Sequence, residues 1–120
     1  DVVTIHLVLS ERTRGLVGAA ELGLMRESAY LVNTSRGPIV DEGGLVEALR
    51  SGSIAGAGLD VFDTEPLPAG HPLLSLDNVV LTPHVGYVTK ETYEVFYGEA
   101  VEGIVAFLDG APVRVIGGGA

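Results

Sequence analysis

Three short polar clusters break a sequence otherwise rich in aliphatic residues and glycine. They are Asn33-Thr34-Ser35-Arg36-Gly37, the stretch from Asp60 to Glu65, and Thr82-Pro83-His84-Val85-Gly86. Their chemical capacities differ. A guanidinium is a planar fork of donors suited to carboxylate oxygens. An imidazole exchanges protons near neutral pH, because its unperturbed pKa lies there. Each cluster follows an apolar run, and open parallel sheets bind ligands outside the carboxyl ends of their strands. Arg36, Asp60, Glu65 and His84 would therefore converge along one sheet edge. Taken singly, each has a plainer explanation: Arg36 as an exposed charge, Glu65 as a solvated member of an acidic loop, His84 as the end of a strand.

The elements that must position these clusters can be read from hydrophobic periodicity. Residues 2–7 predict a strand, 10–18 a turn-rich segment and 19–25 a short helix. A second strand is expected over 29–33. A helix capped by Asp41 should run through Leu45, Val46 and Leu49 and stop at Ser51-Gly52, weakened by Gly43 and Gly44. The third strand is placed at 56–62, a long surface loop rich in Pro and acidic residues at 63–77, and the fourth strand at 78–82. Thr89 begins the longest helix, whose Tyr93, Phe96, Tyr97, Ala100, Val101, Ile104 and Leu108 share one face, expected to be core. Gly110 ends it, residues 113–116 are expected to be extended, and 117–120 to form a frayed, flexible tail. This alternation predicts an α/β fold: half of a doubly wound parallel sheet with flanking helices.

Composition narrows the function classes. The chain of 120 residues is 47% hydrophobic with 17 glycines, which suits buried parallel strands. Sixteen acidic residues against 7 basic ones give a net charge of −9, which argues against nucleic acid or an anionic membrane as partner. There are no cysteines, which fits a reducing, cytoplasmic setting. No apolar run approaches the ~20 residues of a membrane span, and no signal peptide is expected. No His, Asp and Glu share metal-ligand spacing, so no metal is expected. His71 reads as surface or packing, and His6 as structural or near a cofactor. The only methionine is Met25 and the chain opens at Asp1, so it is expected to be a piece of something longer.

The segments LVNTSRGPIVDE, GAGLDVFDTEPLP and NVVLTPHVG, in this order and spacing, resemble the signature segments of the D-isomer-specific 2-hydroxyacid dehydrogenases. The resemblance runs from Asp1 to about Ile116. It implies the C-terminal part of a Rossmann-like dinucleotide-binding domain over residues 1–116, truncated on its N-terminal side. It further implies NAD as cofactor, with NADP left open, a small 2-hydroxy or 2-keto acid as substrate, and a homodimer. By resemblance the catalytic residues are Arg36, Glu65 and His84. His84 exchanges the proton with the substrate oxygen, Glu65 hydrogen-bonds the imidazole, and Arg36 grips the carboxylate and carbonyl oxygens. Asp60 lies by the nicotinamide, and Asn33, Thr34, Ser35 and Gly86 form a backbone-lined floor beneath it.

The sequence departs from the family pattern at Val8, where many members have proline, and at Tyr87, where they have a second glycine; Tyr87 would place a phenol near the substrate cleft. Nothing matches G-x-G-x-x-G, the loop that seats a pyrophosphate on a helix N-terminus. The isolated chain is therefore expected to be inactive, and the first strand to present a bare apolar edge prone to self-association. The alternative is a non-catalytic binding or regulatory protein on the same fold, as in the family's corepressor branch.

Overall fold

Four short strands, β1 (Val2–Ile5), β2 (Tyr30–Asn33), β3 (Gly56–Leu59) and β4 (Val79–Leu81), pair in parallel in the order β1-β2-β3-β4. They belong to a computed structural model that describes residues 1–117. The helices between the strands are α1 (Ala19–Leu22) and α2 (Glu42–Arg50). All of these lie in a first compact unit, residues 1–86. The fold is the α/β, Rossmann-like sheet expected, with β1 at an edge.

Register explains which side chains meet the helices. The rows Val3-Leu31-Ala57-Val79 and Ile5-Asn33-Leu59-Leu81 alternate with Thr4-Val32-Gly58-Val80. From the first two rows Ile5, Leu31, Ala57 and Leu59 join one buried cluster with Leu22, Leu45, Val46 and Leu49 of α1 and α2, and Val79 and Leu81 pack against it. The third row faces the other way, and its Val80 is 69% exposed. Helix α2 is held by Leu45, Val46, Ala48 and Leu49, a single face. Each large apolar side chain buried there contributes about 1.5–3 kcal/mol.

Helix α2 ends as its sequence predicts. Gly52 takes the left-handed φ of 71°, and the Ser53 amide donates to the Ala48 carbonyl at 3.0 Å while Gly52 donates to Leu49 at 3.3 Å. This is the paired closure that satisfies a helix's last carbonyls. Its start differs: Asp41 holds the N-cap position, but its side chain makes no capping hydrogen bond.

Two further expectations are corrected within this unit. The 63–77 segment is not wholly a surface loop, because Pro72–Ser75 forms a 3-10 turn that drives Leu73 fully into the core. The third strand stops at Leu59, since Val61 and Phe62 leave the ladder to bury their side chains.

The second unit begins at Tyr87. Helix α3 (Lys90–Leu108) starts where expected, with the Thr89 hydroxyl accepting the Thr92 amide at 3.2 Å. Its apolar face is not core in this chain, for no residue of α3 is buried. A lone helix has no second layer within its own unit against which to bury a stripe. Residues 113–116 form no strand. Arg114 turns back instead, at a φ of 53°, and its guanidinium donates to the Glu99 carbonyl at 3.0 Å and pairs with Glu102 at 2.7 Å. Of the expected tail, Gly117 lies in a turn and 118–120 fall outside the described residues. No helix among the described residues is long and apolar enough to cross a membrane.

Candidate active site

The backbone ladder continues past the named strands and aligns their carboxyl ends. The Asp60 amide donates to the Asn33 carbonyl at 3.0 Å, and the Thr82 amide to the Leu59 carbonyl at 2.9 Å. The three polar clusters thus leave the sheet side by side.

The first cluster is a self-braced turn. Asn33 is 1% exposed; its side-chain amide donates to the Arg36 carbonyl at 3.0 Å and its oxygen accepts the Ser35 amide at 3.1 Å. The Ser35 hydroxyl donates to the Leu7 carbonyl beyond β1. These two side chains therefore shape the turn, and Thr34 is exposed at its tip. Arg36 is exposed, with Nη1 donating to the Ser35 carbonyl at 2.6 Å.

Gly37 fastens this turn to the second cluster. A β-carbon there would stand 2.1 Å from the Phe62 carbonyl carbon, so no other residue fits without displacing backbone. The amide of the same residue, Phe62, donates to Glu65 Oε1 at 2.9 Å. Glu65 Oε2 then meets His84 Nδ1 at 2.6 Å. Burial pushes the Glu65 carboxyl up, but the hydrogen bonds from His84 and Phe62, with the positive charges of His84 and Arg36, hold it below the ordinary value. Because an ionised carboxylate only accepts, Nδ1 carries the proton.

The third cluster hangs on Asp60, which is 4% exposed. Its Oδ1 accepts the Thr82 hydroxyl and, at 2.9 Å, the Val85 amide; its Oδ2 accepts the Gly86 amide at 2.8 Å. Burial acts to raise this carboxyl too, and the three donors and the nearby His84 charge outweigh it, leaving it below the ordinary value. Gly86 eases the approach, since a β-carbon there would lie 3.0 Å from Oδ2 and press on the carboxylate. His84 itself sits at a left-handed φ of 57°. The imidazole and Glu65 border a cavity of about 390 Å³ walled largely by Phe62, Leu67, Leu74, Leu81 and Pro83.

Glu65, His84, Asp60 and Gly86 are therefore brought together directly, and Arg36 reaches the group through its charge on Glu65. His6 pairs with Thr4 at 2.9 Å, and His71 pairs with Glu42. Sequence reasoning missed Thr82, the Phe62 amide and Gly37. Of these Thr82 and Gly37 left a signal, as members of the polar clusters, but neither was given a role.

Comparisons with known proteins agree with this fold. The family described as D-isomer specific 2-hydroxyacid dehydrogenase, NAD binding domain, matches residues 1–86. A glyoxylate reductase of Aeropyrum pernix is 53% identical over 110 residues, covering 92% of this chain and 33% of that protein. A D-isomer specific 2-hydroxyacid dehydrogenase of Xanthobacter autotrophicus Py2, solved with NADPH and MES, superposes with a TM-score of 0.73 at 43% identity, covering 94% of this chain and 46% of that one. The NAD-complexed enzyme of Lactobacillus delbrueckii ssp. bulgaricus superposes with a TM-score of 0.80 at 32% identity, covering 97% of this chain and 39% of that one. The chain spans about a third of the length of the curated relatives it matches. With its three polar clusters aligned at the strand ends and its first 86 residues matched throughout, this chain belongs to the D-isomer specific 2-hydroxyacid dehydrogenase family, through the NAD-binding domain.

Proposed function

We propose that the natural protein carrying this chain is an NAD(P)-dependent oxidoreductase that interconverts a small D-2-hydroxy acid and its 2-keto acid. The observation that carries this reading is the 2.6 Å contact between His84 Nδ1 and Glu65, fastened to the Arg36 turn through Gly37. With Nδ1–H donating to Glu65, proton exchange falls to Nε2. In the reducing direction the imidazolium gives its proton to the C2 oxygen, and the Glu65 carboxylate steadies the cation until then. Arg36 holds the substrate carboxylate and polarises the carbonyl with its fork of donors. A bound nicotinamide supplies or takes the hydride at C2.

The residues present fit the nicotinamide end of such a cofactor. The braced turn at Asn33, Thr34 and Ser35 and the side-chain-free Gly86 offer backbone at the carboxyl edge of the sheet. Asp60 borders that place through the loop it holds. Titration of the natural protein with NADH and NADPH, and turnover of glyoxylate and larger 2-keto acids, test the reading. Hydride transfer that is lost in His84→Ala and Glu65→Ala supports it. Nucleotide binding with no turnover of any 2-keto acid would overturn it in favour of a binding or regulatory protein.

The isolated chain is expected to be inactive, since it lacks any glycine-rich phosphate loop. We further propose a homodimer for the natural protein. That proposal rests on the resemblance to the family; the exposed Val2 and Val3 on the edge strand β1 bear instead on the isolated chain, which is expected to self-associate there. Sedimentation of the natural protein as a monomer at all concentrations would refute the dimer.

A further inference from the structure

A second imidazole–carboxylate pair lies apart from the first, between the loop that carries Glu65 and helix α2. His71 Nε2 meets Glu42 Oε1 at 3.0 Å, with side chains 16% and 22% exposed against 38% and 34% for His84 and Glu65. The other Glu42 oxygen, Oε2, accepts the Asp63 amide at 3.3 Å. On the far side of the ring, His71 Nδ1 accepts the Leu73 amide at 3.3 Å, opening the 3-10 turn that buries Leu73. A ring nitrogen that accepts carries no proton, so Nε2 is the protonated one and donates to Glu42.

One carboxylate therefore holds both ends of the segment 63–71, and Glu65 lies inside that segment. The carboxylate stands in the first turn of α2, where the helix dipole favours negative charge. Helix α2 is itself fixed in the core by Leu45, Val46 and Leu49. Asp63, Asp41 and Arg14 are the other charged groups close to this cluster.

We propose that Glu42 and His71 are positioning residues for the reaction: a clamp that keeps Glu65 against His84 Nδ1 without touching either. The inference rests on the proton-exchange reading given above for His84 and Glu65. Loosening either end of the segment lets the Glu65 carboxylate swing, while the Arg36 turn, held by Asn33 and Ser35, stays in place. The effect belongs in kcat rather than in the KM for the keto acid.

The test is a double-mutant cycle in the natural protein, assayed for 2-keto acid reduction. Glu42→Gln keeps shape but can satisfy only one of the two donors it meets. It is expected to lower kcat by about 10- to 100-fold, in line with the cost of a small misplacement of a catalytic group, with KM little changed. In a Glu65→Gln background the same substitution should add almost nothing, because residues that act as one unit are not additive. His71→Gln, which can still donate to Glu42 but less rigidly, should fall between the wild type and Glu42→Gln. If Glu65→Gln lowers kcat while Glu42→Gln leaves it at the wild-type level, or lowers it equally in both backgrounds, the clamp is overturned and the proton-exchange reading survives. If Glu65→Gln has no effect, the proton-exchange reading fails and the clamp's role falls with it.

Discussion

Replacing Asp60 by Asn changes one atom and removes one charge at the point where the His84 loop is fastened. The carboxylate accepts three donors: the Thr82 hydroxyl, the Val85 amide and the Gly86 amide. Asn offers a single oxygen. Placed at the Oδ1 position it keeps Thr82 and Val85 but turns an NH₂ toward the Gly86 amide. Flipped, it keeps Gly86 and faces Val85, while the Thr82 hydroxyl can rotate to accept. Either way one amide loses its acceptor and the remaining bonds lose their charge assistance, a cost of about 2–4 kcal/mol. Val85 is 40% exposed, so water recovers part of this, and the lower end, about 2 kcal/mol, is the expected loss.

Within the loop, the His84 amide donates to the Thr82 carbonyl at 3.1 Å, and the imidazole meets Glu65. His84 sits at a φ of 57°, a conformation that costs a non-glycine residue about 1–2 kcal/mol. Asp60 offsets that strain, and without its charge the turn becomes marginal. At about 1.36 kcal/mol per decade, 2 kcal/mol is roughly a 30-fold fall in turnover. Two measurements on the natural protein check it: the rate of 2-keto acid reduction, and hydrogen exchange at the Val85 and Gly86 amides, which should accelerate. Wild-type turnover with unchanged exchange would refute the assignment of the loop to Asp60. The pH dependence carries the same sign. The folded carboxyl lies below its ordinary value, so the contribution is complete above the unfolded pKa of ~3.9. It drains away as pH falls through the lower folded value, releasing the loop only in acid.

Glu65→Gln keeps an acceptor for the Phe62 amide but replaces the charged acceptor of His84 Nδ1–H with a neutral one, so kcat for keto-acid reduction should fall by about 10-fold or more; an unchanged kcat would count against the pairing. Arg36→Lys exchanges a planar fork for a point charge, and the KM for the keto acid should rise by about 10-fold or more. Steady-state kinetics that show only a fall in kcat would show that Arg36 does not hold the ground-state carboxylate. Gly37→Ala forces a methyl group against the Phe62 backbone, 2.1 Å from its carbonyl carbon. Overpacking of this kind costs roughly 2–3 kcal/mol, and a thermal melt unchanged from wild type would contradict the contact.

Much of this architecture was legible because parallel strands flanked by helices read as separate apolar runs. The turn residues after them also name their positions. What could not be read depends on distant partners. The resemblance places Asn33 and Ser35 in a backbone-lined floor but says nothing of the bracing of that turn, in which Ser35 reaches back to Leu7, a contact that composition does not encode. Leu73 was hidden in a Pro-rich acidic stretch, since one buried leucine on a 3-10 turn leaves no periodic signal. The stripe on α3 was correctly periodic, but periodicity shows which residues want burial and not where their partner lies. Asp60 was singled out by its place at the end of a strand. Its role as an anchor for Val85 and Gly86 required the neighbouring strand to be in register.

The proposed reacting groups sit on loops, where chains are ordinarily mobile, yet each loop is tied down by a polar group on a stiffer element. Asn33 belongs to β2, Asp60 follows β3 directly in the ladder, and Glu42 opens α2. Each of these three has its side-chain oxygens or amide engaged with backbone, so the loops are fixed by directional bonds rather than by apolar packing alone. That division follows from the chemistry. A group that must gain and lose a proton cannot be buried deeply without biasing its charge state, so His84 stays near solvent and the burden of precision passes to its supports. Arg36, the group that would meet the substrate's charge, is by the same logic the least restrained of the set, held by one bond to its own turn. On the proposed reading, the groups that handle the proton and the supports that place them all lie within residues 1–86.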